Sequence, residues 1–136
     1  MWEDLKPAQI TSPKAILSNI ANELNAVTKE SIVFSVDTQI DFGYAEILSI
    51  IDKADDEANR AVRLKCSVPG LNNYTLHLIK VLYDIKRVYP CKVMDLINHR
   101  DVQAESKDEL DSIIRGFLDD SEIKSIISNL WAQVDG

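Results

Sequence analysis

Cys66, His77, Cys91 and His99 are the residues of this chain with the most chemistry to offer. Together they match the ligand types of a zinc centre. No two of them have the close spacing of a zinc motif, roughly two to four residues between paired ligands. A cysteine–histidine nucleophilic pair meets the same objection. Both cysteines fall in apolar, strand-patterned stretches rather than in the exposed, electropositive setting that yields a thiolate. Two buried thiols are therefore expected in preference to a disulfide. Gly43, Gly70, Gly116 and Gly136 stand apart, so the chain has no glycine-rich phosphate loop. The acidic run Asp52–Glu57 lacks the alternating ligands and central glycine of a calcium loop. The run, with its paired Asp55 and Asp56, reads as a solvated turn. No catalytic set, cofactor or metal is expected.

Two groups of residues remain as contact candidates. Arg63, Lys65, His77 and Tyr83 lie in strand-like segments where one sheet face could gather them. Cations beside an aromatic are the ingredients of a single-strand nucleic-acid platform. A pI near 4.7 and scattered aromatics argue against nucleic acid as a partner. The second group, Asp108, Asp111, Asp119 and Asp120, belongs to an acidic helical region that could face a basic protein.

The elements that must position these residues centre on Asn72–Ile97. Tyr74–Asp84 is rich in β-formers, and strict alternation sets Leu76, Leu78 and Leu82 against Ile79, Val81 and Tyr83. Apolar groups on both sides predict a central strand. After the charged corner Asp84–Arg87, Tyr89–Asp95 resumes with Tyr89, Cys91 and Val93 on one face. Pro90 has no N–H to donate and is expected at the start or edge of that strand. Arg60–Val68 alternates Val62, Leu64, Cys66 and Val68 with Arg63, Lys65 and Ser67. The turn residues Pro69–Asn73 then predict an antiparallel hairpin with the central strand. Ser31–Thr38 alternates in the same way. Tyr44–Asp52 reads as a further strand, and Asn98–Glu105 as a polar loop.

Helices bracket the strands. Ser12-Pro13 is a capped start for a helix over Pro13–Ala26, with Ile16, Leu17, Ile20 and Leu24 as its stripe. Ser106 and Glu109 form a capping box ahead of Leu110, Ile113, Ile114 and Phe117. Asp119 and Glu122 repeat the device before Ile123, Ile126, Ile127, Leu130 and Trp131, with a join so short that the two helices bend sharply or continue as one kinked helix. Phe117 and Trp131 are expected as buried anchors. The class is α+β in one domain spanning residues 1–136. It has a single, mostly antiparallel sheet of about five strands, an N-terminal helix and two C-terminal helices.

Charge is segregated along the chain. Residues 58–100 hold eight bases and two acids, residues 31–57 one base and seven acids, and residues 101–136 three bases and nine acids. The net charge is −7, so the basic sheet is flanked by acidic blocks. Either the blocks neutralise one another in the fold, or a basic sheet face stays open to an acidic partner. No apolar run approaches the length of a membrane span. The opening MWEDLKPAQITSP lacks the basic and apolar regions of a signal peptide, so a cytoplasmic location is expected.

Ser12-Pro13…Ile16-Leu17…Ala21…Leu24, Val68-Pro69-x-Leu71-x-Asn73-Tyr74, Arg87-x-Tyr89-Pro90-x-Lys92-Val93 and the closing Ile126–Gln133 helix follow in order along the chain. In these segments the chain resembles a group of short bacterial proteins with no assigned activity. The resemblance implies a bacterial, cytosolic protein. These features point to a non-enzymatic interaction domain, with self-association through a sheet face or edge. The alternatives are an immunity- or antitoxin-type inhibitor with an acidic surface, and a ligand binder or enzyme with a pocket between the first helix and the sheet, lined by Tyr44, Tyr83 and Tyr89.

Overall fold

Ser12 caps the first helix, its side chain accepting from the Ala15 N–H at 3.2 Å. This structure is a computed structural model that describes residues 2–39 and 60–135. Helix α1 runs Pro13–Thr28 and buries Ile16, Leu17, Ile20 and Ala21. It outlasts the predicted end because Lys29, at φ 51°, takes the left-handed capping position usually filled by glycine. Asn25 then stitches the helix to the first strand. Its side chain accepts from the Phe34 N–H at 2.7 Å and donates to the Phe34 carbonyl at 2.9 Å.

The strands β1 (Val33–Gln39), β2 (Arg60–Val68), β3 (Tyr74–Asp84), β4 (Arg87–Asp95) and β5 (Arg100–Ala104) form one sheet in sequence order, every pair antiparallel. The fold is α+β, with α1 first and the helices α2 (Lys107–Leu118) and α3 (Ser121–Asp135) last. The strand expected over Tyr44–Asp52 lies outside the described residues. Conversely, β5 occupies the stretch expected as a loop. Only Val102 and Ala104 mark its alternation, and its charged residues suit the outermost strand among those described.

The β2–β3 hairpin forms as expected, through a 3-10 turn at Pro69–Leu71 and left-handed Asn72 and Asn73. Gly70 packs closely under the end of α3, where an added Cβ would stand 3.2 Å from a Val134 methyl. β4 starts earlier than predicted. Asp84 pairs with Arg87 around a two-residue turn, and Asp84 Oδ1 accepts from the Lys86 N–H. Pro90 thus sits inside the strand, where the ladder to β3 is broken between Leu82 and Asp84 and no N–H is needed.

Pairing within β2–β3 is offset by a bulge. Leu64 faces Ile79 and the next residue, Lys65, faces His77, so Leu78 is the extra residue on β3. Strict alternation fails there. Leu78 and Ile79 are adjacent and both fully buried in the same core. The side that faces the helices carries Leu76, Leu78, Ile79 and Val81, which the unbroken pattern had divided between two faces.

α1 packs on β1 and β2, α2 packs on β4 and β5, and α3 closes the end near the 3-10 turn. All three contribute to one apolar cluster with Phe34, Leu64, Cys66, Val81, Cys91 and Val93. The helices therefore cover one face of the sheet. Ser106 caps α2 as predicted, accepting from the Glu109 N–H, although the Glu109 carboxylate reaches back to the N–H of Glu105. α3 is a separate helix capped by Asp120 rather than Asp119: the Asp120 carboxylate accepts from the Glu122 N–H at 2.9 Å. Phe117 is buried, whereas Trp131 is only half-buried and packs at the margin of the core.

Candidate functional site

The face of the sheet away from the helices is built by register. Residues directly opposed on antiparallel strands share a face. Asp37, Arg63, Lys80, Met94 and Asp101 thus form one row across all five strands. Ser35, Lys65 and His77 form a second row, and Leu82, Lys92 and Gln103 continue a third. The bulge determines who belongs here. Without it, His77 would share a face with Tyr83. With it, His77 joins Arg63 and Lys65, while Tyr83 stays on the helix side, half-buried against the core. The four residues proposed from the sequence therefore do not come together. Three do, and the aromatic is removed.

Cations dominate the centre of this face, and carboxylates sit on its outer strands. Lys65 reaches diagonally to Asp37 at 3.2 Å, and Lys92 reaches diagonally to Asp101 at 3.4 Å. Arg63 lies directly opposite Lys80, and Lys65 opposite His77. Like charges in directly opposed positions weaken a sheet. Asp37, directly opposite Arg63 on β1, offsets part of that repulsion.

The acidic set is largely engaged with the protein's own cations. Asp111 accepts from Arg115 Nε at 3.0 Å, and the same guanidinium reaches Glu23 of α1 at 2.8 Å. Asp119 pairs with Lys124. Asp120 caps α3, accepts from Asn98 and lies 3.8 Å from Arg100. Asp108 is exposed in the first turn of α2, where it favours the helix dipole.

Sequence reasoning missed the most elaborate polar arrangement, which surrounds Asp95. This carboxylate is fully buried and accepts from the N–H groups of Ile97 and Asn98, from the Asn98 amide and from Arg100 at 2.7 and 3.1 Å. Burial pushes its pKa up. The Asn98 N–H, the Arg100 guanidinium, the Asn98 amide and the Ile97 N–H outweigh that, and the carboxyl is held below its ordinary value. Arg100 also covers the Phe117 ring at 4.8 Å from its centroid. The cluster locks the β4–β5 turn to the α2–α3 corner, with His99 held at φ 58°. Its signal in the sequence is a strand-ending aspartate with asparagine three and arginine five residues later.

Both cysteines are free and buried, as expected. Burial pushes the thiol of Cys66 up to about 11 and that of Cys91 to about 12. Neither is a nucleophile at neutral pH. An aromatic disulfide reagent should label neither thiol in the native protein and both in denaturant; rapid labelling of either in the native state would contradict their burial. Among the described residues, no group of histidine, cysteine, aspartate and glutamate is placed to hold a metal ion.

A cavity of about 540 Å³ lies elsewhere than the tyrosine-lined pocket predicted from the sequence. It sits between α1 and α2, against Ile20, Leu24, Val27, Gly116 and Leu118. Tyr89 instead donates its hydroxyl to the Thr11 carbonyl at 2.8 Å, and Tyr44 lies outside the described residues. No described helix is long and apolar enough to cross a membrane. No family model, curated protein or solved structure matches the chain.

Proposed function

We propose that this protein is a non-enzymatic, cytosolic interaction domain that docks an acidic segment of a protein partner on the face of its sheet opposite the three described helices. The direct opposition of Arg63 and Lys80 at the centre of that face carries the reading. Lys65 and His77 lie in the adjoining row, so basic side chains gather on one face, and such a patch is complementary to carboxylates. The net charge of −7 does not prevent approach, because repulsion is screened beyond roughly 8 Å at physiological salt.

Two other partners are disfavoured by the same geometry. Single-stranded nucleic acid needs aromatic platforms, and Tyr83 lies on the other side of the sheet. A two-fold dimer through this face would set one basic patch against another. The acidic-inhibitor reading is weakened because Asp111, Asp119 and Asp120 already hold internal cations. The candidate nucleophiles are likewise committed to structure, the thiols by burial and Asp95 by its hydrogen bonds.

A glutamate-rich peptide titrated into isotopically labelled protein tests the site. The amides of Arg63, Lys65, His77 and Lys80 should shift, and the affinity should fall steeply with salt. Lys65→Glu together with His77→Glu should weaken binding at least about tenfold, the size expected for opposing charges in an interface. Shifts confined to other surfaces, or tighter binding to a thymidine oligonucleotide, would overturn the reading.

A further inference from the structure

The bulge at Leu78 gives the basic face one member unlike the rest. Among the described residues, Arg63, Lys65, Lys80 and Lys92 stand there against Asp37 and Asp101, so cations are in excess. Arginine, lysine and aspartate each keep one charge across about pH 5–8. Histidine is the side chain whose charge changes within that range. His77 is exposed on this face, directly opposite Lys65. The two thiols do not contribute, since burial holds them at about 11 and about 12.

Register fixes the groups around it. β2 sets Lys65 opposite His77, with Arg63 and Ser67 as the next residues of that face on either side. β3 itself brings Thr75 and Lys80, and the hydroxyls of Ser67 and Thr75 bond each other at 3.3 Å. Towards β4 the neighbours are uncharged. They are Met94, opposite Lys80, and Leu96, whose N–H donates to the Leu78 carbonyl at 2.9 Å. From β1, Ser35 lies opposite Lys65, and the Asp37 carboxylate is turned to Lys65 at 3.2 Å. His77 therefore stands in a row whose other charges do not vary near neutral pH.

We propose that proton uptake by His77 regulates docking at this face, so that an acidic segment binds more tightly as pH falls from about 8 to about 5.5. The inference rests on the docking reading above and adds its control. A neutral imidazole offers a carboxylate no charge, and Lys65 faces it alone in that row. Once protonated, His77 faces it together with Lys65, one row from Arg63 and Lys80. The sign follows from linkage. A carboxylate beside an imidazolium favours the protonated form, so docking takes up a proton, and protonation in turn favours docking by the same factor. Affinity rises as pH falls through the interval and levels off below it. A titration midpoint raised by about one pH unit on docking corresponds to about a tenfold gain.

An aspartate-rich peptide, whose own carboxylates stay ionised above about pH 5.5, tests it on the full chain at constant ionic strength. The dissociation constant of the wild type should fall by about tenfold between about pH 8 and 5.5. His77→Gln should bind at every pH as the wild type does at the alkaline end. His77→Lys should bind at every pH as the wild type does at the acid end. His99, the other histidine of the chain, lies in the β4–β5 turn, and His99→Asn should keep the full dependence. In proton resonance spectra the His77 ring should titrate at higher pH with peptide present, and the His99 ring should not move. A wild type with flat affinity, or a slope that survives in His77→Gln, would overturn the regulation while leaving the docking site in place. Absence of binding at every pH, in His77→Lys as in the wild type, would overturn the docking reading and the regulation together.

Discussion

Asp95→Ala should be the most damaging single substitution in this protein, lowering stability by about 3–5 kcal/mol. The carboxylate is fully buried and satisfies two backbone N–H groups, the Asn98 amide and Arg100 at once. Removing it leaves half-buried donors without an acceptor and the Arg100 guanidinium without its closest counter-charge. Against a total of roughly 5–15 kcal/mol, a loss of that size brings the domain close to unfolding at ambient temperature. Urea denaturation of the two proteins measures it directly. Asp95→Asn keeps one acceptor oxygen and should lose markedly less.

The same residue makes an acid-dependence prediction with a definite sign. Its pKa is lower in the folded chain than the ordinary 3.8. Its contribution is therefore fully present above that value and is lost as pH falls through the folded pKa. The stability of the wild type should drop steeply below about pH 4, and Asp95→Asn should flatten that limb. Identical acid limbs in the two proteins would show that other carboxylates govern acid unfolding.

Phe117→Ala should follow closely, at about 3–5 kcal/mol. Phe117 is 7% exposed, belongs to the main core, and is roofed by the Arg100 guanidinium. Removing it opens a cavity under α2 and takes away the surface on which Arg100 rests while it holds Asp95. Trp131→Ala should be milder, because a half-buried ring at the margin of the core gives up less burial, at about 25 cal/mol per Å². Thermal melts of the two variants rank them, and a larger loss at Trp131 would mean that α3 bears more of the core than its burial shows. Because Arg100 touches both Asp95 and Phe117, the two lesions should not add. A double-mutant cycle should give a coupling on the order of 0.5–3 kcal/mol.

Where a signal is local, the sequence carried it. Ser12-Pro13 and Ser106 mark helix starts through side chains that reach only three residues onward, so composition at fixed offsets is enough. Arg60–Val68 and Tyr74–Asp84 announced themselves by alternation, and their bounds match the structure. The burial of Cys66 and Cys91 followed from the same pattern. Edges were harder. β5 was hidden because an outer strand can be polar on nearly every residue, and the spacing to Glu122 pointed to Asp119 as the cap of α3 where the structure uses its neighbour Asp120.

Only the tertiary structure decided which side chains share a surface. A single extra residue, Leu78, reverses the parity of β3, and no period-2 reading reveals where the partner strand slips. That one residue separates Tyr83 from Arg63, Lys65 and His77, and with it removes the case for a nucleic-acid platform. The opposition of Arg63 and Lys80, seventeen positions apart in sequence, exists only once the register is set. The Asp95 cluster is of the same kind. Its donors lie within five residues, but Asp120 and Phe117 arrive from another element, and the depth of burial that gives the carboxylate its weight comes from the helices laid over that end of the sheet.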